Sequence, residues 1–285
     1  MTDSALRNAE QLEYWGGAGG ERWVAQQARR DELLGDFAVH ALGKAAVRPG
    51  EQVLDIGCGC GETSAVLAEL VGPQGGVLAV DVSAPIMAEA RARLSAFANV
   101  ETVLADAAAF PFPPAAFDLL FSRFGVMFFG DPVAAFANLR KALKPTGRLV
   151  FACWRSPAEN GWMTEPLKAT ARLMPPSPML DLNLPGPFAF HDPDRVSRIL
   201  TEAGFAVPTF DRIDKQIDVA GGAGLEGAVR SAMELGPTAR ALDGQDEGLQ
   251  ATIADALRDF FAPLIKDGSV ELPAAIWIVS ADVAP

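Results

Sequence analysis

Residues 53–70 read VLDIGCGCGETSAVLAEL. Val53–Ile56 have strand character and run into Gly57, Gly59 and Gly61, after which an amphipathic segment begins. A glycine-rich turn between a strand and a helix lets a ligand come close to bare backbone amides. Here a carboxylate, Asp55, stands just before the first glycine. It would repel phosphates at that range. The spacing Gly57-x-Gly59-x-Gly61 is also one residue short of the dinucleotide fingerprint. A P-loop is excluded, because no Gly-Lys-Ser/Thr follows. The turn suits a ligand without phosphate that carries positive charge. S-adenosylmethionine, with its ammonium, sulfonium, carboxylate and ribose, has that chemistry.

Other residues supply matching contacts. Asp81 ends the second predicted strand, where it can accept both ribose hydroxyls; Val82 and Met87 follow and can sandwich an adenine. The third strand runs into Asp106-Ala107, a carboxylate and an amide for the adenine edge. Ser122-Arg123-Phe124 ends the fourth strand, under the place of the methyl group. The predicted cofactor set is therefore Asp55, Gly57, Cys58, Gly59, Asp81, Val82, Met87, Asp106, Ala107 and Ser122. Trp15, Arg123, Phe124, Trp154 and Trp162 are expected at the acceptor pocket. Transfer from a sulfonium loses charge and is hindered by water, and aromatic faces hold a sulfonium by cation–π attraction. Arg123 could bind an acceptor carboxylate or pair with an acid of a lid.

Groups able to take a proton are scarce: the chain has one tyrosine and two histidines. His191, in PFAFHDP, is a candidate general base, with an exposed residue before a helix as the alternative reading. Tyr14 is the second candidate. His40 reads as a packed or solvated helix residue. Cys58-x-Cys60 lacks the further ligands a metal site needs, so no metal is expected.

Composition bounds the function. Among 285 residues, 49% are apolar and 21% charged, an ordinary globular balance. The net charge of −12 argues against nucleic acid and against an anionic membrane surface. No apolar run has the length of a membrane span. The opening MTDSALRNAEQLEYW has neither the basic nor the apolar region of a signal peptide. Three cysteines make no disulfide framework, so a cytoplasmic location is expected. A small-molecule acceptor is the expected partner, and a homo-oligomer is compatible with the chain.

These residues need elements to position them. The patterns predict a helix over 20–46, strands over 52–56, 76–81, 100–104, 117–122 and 147–153, and helices over 61–71, 83–97 and 131–143. Ser83 and Asp131-Pro132 carry helix-start chemistry. Such alternation means an α/β, mostly parallel, doubly wound sheet with the post-strand loops along one edge. After Trp154 the rhythm breaks. A helix is predicted over 161–174, then an irregular stretch holding Pro175-Pro176-Ser177-Pro178, then a helix from Asp192 to about Ala203. A strand over 206–219, a largely helical stretch over 221–269 and a strand from Ala274 to Val279 complete the chain. The expected division is an N-terminal helical lid segment (1–47), a cofactor-binding core (48–154) and a remainder of the sheet (155–285). Two lid insertions, at about 155–190 and 221–269, fall within that last part.

In this order the motifs resemble class I S-adenosylmethionine-dependent methyltransferases. VLDIGCGCG is similar to the family's first motif, AVDVS to its acidic second, LADAAAFPFPPAAFD to its third and LKPTGRLVF to its fifth strand. FSRFGVMFFGDP followed by LRKALKPTGRL resembles the ubiquinone/menaquinone-type small-molecule branch. The match is close over about residues 50–154 and looser at YWGGAGGERW and in the C-terminal part. Thr146 departs from the glycine usual before the fifth strand, and Cys60 is unusual in the glycine loop. The resemblance implies a Rossmann-like seven-stranded sheet with the last strand antiparallel and a mostly helical lid. A lid with several aromatics and few basic residues suggests a small, apolar or aromatic acceptor, methylated by in-line displacement. A catalytically silent S-adenosylmethionine-binding protein and a nicotinamide-dependent oxidoreductase are the alternatives.

Overall fold

The computed structural model describes residues 3–174 and 181–284. Its strands are β1 (Gln52–Ile56), β2 (Gly76–Asp81), β3 (Val100–Leu104), β4 (Phe117–Arg123), β5 (Leu143–Trp154), β6 (Thr209–Asp218) and β7 (Glu271–Asp282). They form one seven-stranded sheet in the order β3-β2-β1-β4-β5-β7-β6. β1 to β5 pair in parallel, and β7 runs antiparallel to both β5 and β6. The expected Rossmann-like sheet with its last strand antiparallel is therefore present. The chain moves outward from β1 to β3, then crosses back to β4. The loops after β1 and β4 thus leave neighbouring strand ends at the point where the order reverses, the usual place for a ligand in such sheets.

Helices α1 (Asp3–Gly16), α2 (Ala18–Ala25) and α3 (Gln27–Ala45) precede the sheet. α4 (Glu62–Val71), α5 (Ala84–Leu94) and α6 (Pro132–Ala142) connect its parallel strands. α7 (Gly161–Thr170) and α8 (Pro193–Glu202) lie between β5 and β6, and α9 (Gly224–Glu234), α10 (Gly236–Ala241) and α11 (Glu247–Phe261) between β6 and β7. Residues 149–154 of β5 are all buried, so both of its faces are covered. Side chains alternate along a strand. Phe151 packs near Phe136 of α6, while Trp154, on the other face, meets Phe37 of α3 edge-on. α3 and α6 therefore lie on opposite sides of the sheet.

Helix starts follow their sequence signals. Ser83 Oγ accepts from Ile86 N, Asp131 from Ala134 N and Asp192 from Asp194 N. Each such cap contributes about 1 kcal/mol. The N-terminal segment differs from expectation, because α2 and α3 replace the single helix over 20–46 and α1 precedes them. α1 has no buried residue, so its own sequence carries little core signal. It is held instead by close packing on Gly130, where a Cβ would stand 2.8 Å from Asn8 N. β5 starts at Leu143 rather than residue 147, because Leu143 pairs with Phe117 across a register shift. α7 stops at Thr170, and the Pro175-Pro176-Ser177-Pro178 stretch lies outside the described residues.

Candidate functional site

Two loop crossings build the floor of the site. Ser122 Oγ donates to Ile56 O (2.7 Å) and accepts from Gly125 N (3.2 Å), tying the end of β1 to the loop after β4. Gly57 faces Gly125 so closely that a Cβ on Gly57 would stand 2.8 Å from Gly125 Cα. Gly57 also has a φ of +65°, in the region that favours glycine. At the end of β2, Asp81 Oδ2 accepts from Gly59 N (3.0 Å) and Oδ1 from Ser83 N (2.9 Å). The carboxylate thus holds the glycine loop and the start of α5 together, with further lone pairs free for a ligand. Burial pushes the Asp81 carboxyl above its ordinary range, and the backbone donors partly offset this.

Above this floor lies a cleft with about 780 Å³ of empty space, its mouth included, within the range of small-molecule sites. Gly57, Gly59, Asp81, Val82, Asp106 and Ala107, all predicted for the cofactor, line it together. Of the residues predicted for the acceptor, Trp15, Arg123 and Phe124 line it as well. Arg123 Nη1 lies 2.5 Å from Glu62 Oε2, and its Nη2 is 3.9 Å from Asp31. It is thus an ion-paired wall group rather than a free cation.

Four cleft residues lie on α1: Asn8, Gln11, Leu12 and Trp15. Their i, i+3, i+4, i+7 spacing puts them on one face. Asn8 Nδ2 donates to Asp106 Oδ2 (2.8 Å), fastening α1 to the far wall. Trp15 meets Trp23 and Phe128 edge-on. Sequence reasoning did not assign Asn8, Gln11 or Leu12, although the α1 spacing was available as a signal.

Several predicted site residues lie behind the cleft. Asp55 is fully buried and accepts from Thr63 (3.1 Å) and Ser64 (2.6 Å), so it braces the start of α4. Met87 is buried with Ala79, Ala90 and Leu94, because its α5 neighbour Ile86 is the one that faces the cleft. Ser122 serves the loop crossing, and Cys58 lines a second, adjoining cavity. Trp154 stacks on Phe124 at 4.3 Å and Trp162 packs on Trp154, so both support the wall rather than form it. Phe124 has a φ of +62°, a strained conformation for a bulky residue.

Neither catalytic candidate reaches the cleft. Tyr14 sits about 100° around α1 from Trp15, with the Arg240 guanidinium 5.0 Å from its ring centre. His191 lies on the α6 side of the sheet, its Nδ1 2.9 Å from Phe188 O and its carbonyl accepting from Trp277 Nε1. The Asp192 cap and the docking of Phe190 on Phe136 and Phe151 fix it there. Among the described residues, none from 155–190 or 221–269 lines the cleft. α7, α9, α10 and α11 pack together, and α10 and its surroundings brace the N-terminal helices, as in Arg22–Asp243 (2.9 Å).

Asp55 makes the fold pH-dependent. Burial pushes its carboxyl from 3.8 to about 6, against the opposing Ser64 and Thr63 bonds and Arg123, and Oδ1 has no partner. A raised acid favours the protonated folded form. Its contribution is complete below about pH 4 and is lost as the pH rises through about 6. Asp55→Asn is therefore expected to gain roughly 1–3 kcal/mol over the parent above pH 7 and nothing below pH 4. Urea unfolding of both proteins across pH checks this; a gap that does not change with pH contradicts it.

The residues present fit S-adenosylmethionine. Bare glycine amides, a carboxylate at the end of β2 and aromatic walls meet in one cleft, and among the described residues its one lining cation, Arg123, is ion-paired with Glu62. Among the described residues no cluster of His, Cys, Asp or Glu could hold a metal ion, and no helix is long and apolar enough to cross a membrane.

The fold and site agree with the comparisons: residues 53–147, a third of the chain, match a family model described as a methyltransferase domain, and the chain resembles class I S-adenosylmethionine-dependent methyltransferases. Within that class it resembles the ubiquinone/menaquinone biosynthesis C-methyltransferases. The protein of that name from Shewanella frigidimarina is 35% identical over 121 residues, 41% of this chain and 48% of the relative. An uncharacterized transposon protein from Streptomyces fradiae is 31% identical over 172 residues, 57% of this chain and 45% of the relative. The chain thus spans about half the length of these curated relatives. A structure of a putative methyltransferase from Bacillus halodurans shares the fold at 18% identity with a TM-score of 0.57, covering 87% of this chain and 99% of that one.

Proposed function

We propose that the protein transfers the methyl group of S-adenosylmethionine to a small, largely apolar or aromatic acceptor by in-line displacement. One observation carries this reading: the glycine loop, Asp81 and an aromatic wall of Trp15, Trp23, Phe124 and Phe128 converge on a single cleft. The bound cofactor supplies an electrophilic methyl on a sulfonium. Asp81 orients the ribose, and the glycine loop gives close approach to the backbone. Trp15 and Phe128 exclude water and seat a flat acceptor, and alignment supplies most of the rate. Among the described residues the cleft polar groups, Asn8, Gln11, Asp81, Asp106 and Arg123, include no histidine or tyrosine. The acceptor is therefore one whose own nucleophile ionises readily. The ubiquinone/menaquinone-type relatives support a ring-bearing acceptor.

A screen of aromatic acceptors with labelled S-adenosylmethionine tests the reading. Turnover is expected with at least one phenol, quinol, amine or thiol. Binding of S-adenosylhomocysteine without turnover of any acceptor favours the silent reading, and binding of NADH instead favours the oxidoreductase. With an acceptor in hand, His191→Ala and Tyr14→Phe are each expected to change kcat by less than about threefold, whereas loss of a general base costs roughly 10²- to 10⁴-fold. A loss of that size in either variant returns the proton transfer to that residue.

A further inference from the structure

The sheet ends in two edge strands of unequal length. β3 runs for five residues, whereas β6 runs for ten, Thr209–Asp218, which is about 30 Å of strand. Among the described residues β6 pairs with β7 alone, and outside β7 no hydrogen bond reaches the backbone of Thr209–Ile217. Its outward amides and carbonyls therefore form a template for another strand. The devices that usually blunt such an edge are missing here. The register with β7 is unbroken from Thr209 to Asp218, so no bulge twists the edge away, and no proline interrupts it.

The charges on this edge alternate in sign: Asp211, Arg212, Asp214 and Lys215. Side chains alternate between the faces of a strand. Asp211 and Lys215 lie on the α3 side, where Lys44 Nζ is 2.8 Å from Asp211 and Lys215 Nζ is 3.3 Å from Asp36. Arg212 and Asp214 lie on the other side, where Arg212 Nε and Arg155 Nη1 stand 2.8 Å and 2.7 Å from Asp214. These pairs hold the charges at the edge without consuming them. A carboxylate accepts from several donors, and the Arg212 and Asp214 side chains remain 60% and 55% exposed.

Two copies of one strand pair antiparallel only with the two-fold axis on a residue, because outward amides and carbonyls recur at every second position. With the axis on Ile213, Arg212 faces the partner's Asp214 and Asp211 faces the partner's Lys215. The isoleucines then meet at the axis, Phe210 faces the partner's Gln216 and Thr209 faces the partner's Ile217. Every charge from Thr209 to Ile217 thus meets its opposite. Moving the axis one residue either way sets Arg212 against itself or Asp214 against itself, and like charges directly opposite are destabilising.

We propose that β6 is the interface of a two-fold symmetric dimer, in which a second copy of this chain pairs antiparallel with Thr209–Ile217 about an axis through Ile213. The two sheets then continue into one another. The clefts lie at the ends of β1 and β4, away from this edge in the strand order, so both stay open.

Sedimentation equilibrium of the full chain tests this. A monomer–dimer equilibrium is expected, with a Kd of roughly 1–100 μM. Asp211→Lys and Lys215→Asp each set like charges against one another at both symmetry-related positions, so either alone should weaken association about tenfold or more. An equimolar mixture of the two variants should associate to within about threefold of the parent, because every position in the mixed dimer again faces an opposite charge. Damage confined to the pairs with Lys44 and Asp36 inside each chain would persist in the mixture. Cross-linking gives a second readout. The three native cysteines are buried. Ile213→Cys should form a disulfide-linked dimer under mild oxidation, since directly facing residues stand about 4.5–5.5 Å apart at Cα. Thr209→Cys should not, because it sets the two thiols about 25 Å apart. A chain that stays monomeric at about 100 μM overturns the proposal. So does a dimer that both single variants leave intact, which would assign association to another surface, or a mixture that fails to reassociate.

Discussion

Gly57→Ala is expected to disable the site and weaken the fold at once. The new Cβ would stand 2.8 Å from Gly125 Cα, in a contact between two backbones that no side-chain rotation relieves. It would also force alanine to a φ of +65°. Left-handed strain costs about 1–2 kcal/mol, and overpacking a tight contact costs about 1–3 kcal/mol more. Roughly 2–5 kcal/mol of stability should therefore be lost, visible as a lower urea midpoint. Because this contact sets the distance between the loops after β1 and β4, affinity for S-adenosylhomocysteine should fall by more than about a hundredfold. Gly59→Ala is the internal comparison. Its φ is +59°, but the nearest atom to a Cβ is Trp23 Nε1 at 3.6 Å, an ordinary contact. Its stability cost should be strain alone, about 1–2 kcal/mol. Equal effects from the two substitutions would show that the Gly57–Gly125 approach is not what shapes the site.

The second large effect is expected at Asp81. Asp81→Ala removes the acceptor of the Gly59 and Ser83 amides and the group proposed to hold the ribose. Hydrogen bonds to a charged group contribute about 1.5–3 kcal/mol, so affinity for S-adenosylhomocysteine should drop roughly 10- to 100-fold. Asp81→Ala should weaken methylthioadenosine, which keeps the adenosine and thioether but lacks the amino-acid end, as strongly as S-adenosylhomocysteine, because both carry the ribose. Calorimetry that finds methylthioadenosine unaffected would remove the ribose assignment. Unchanged affinity for both probes would leave Asp81 as a loop brace only.

The parallel core was legible because its signals are local. Val53–Ile56 running into Gly57, the Ser83 and Asp131 caps and the strand–helix rhythm all reside in short stretches of chain, and each element formed within a few residues of its predicted bounds. Gly57, Gly59, Asp81, Val82, Asp106 and Ala107 could be placed at one site for the same reason. Parallel strands with right-handed crossovers deliver their C-terminal loops to one edge, so position in the sequence already implied position in space.

Tertiary packing decided the rest. Whether Ile86 or Met87 faces the cleft depends on the rotation of α5 about its axis, which packing against Ala79 and Leu94 sets. Asp55 and Ser122 have the residue types of ligand contacts, but Asp55 is fully buried with Oδ2 held by Ser64 and Thr63, and Ile56 O and Gly125 N occupy Ser122. His191 was read toward the active site because the chain near it was taken for a lid. Its place on the α6 side follows from Phe190 docking on Phe136 and Phe151, a contact far apart in sequence. The cover of the cleft is α1, a helix with no buried residue, whose position depends on Gly130 and the Asn8–Asp106 bond. Local sequence thus determined the elements and the loops they present to the ligand. The tertiary structure alone decided which side chains remain free to face it, because that depends on neighbours brought together from distant parts of the chain.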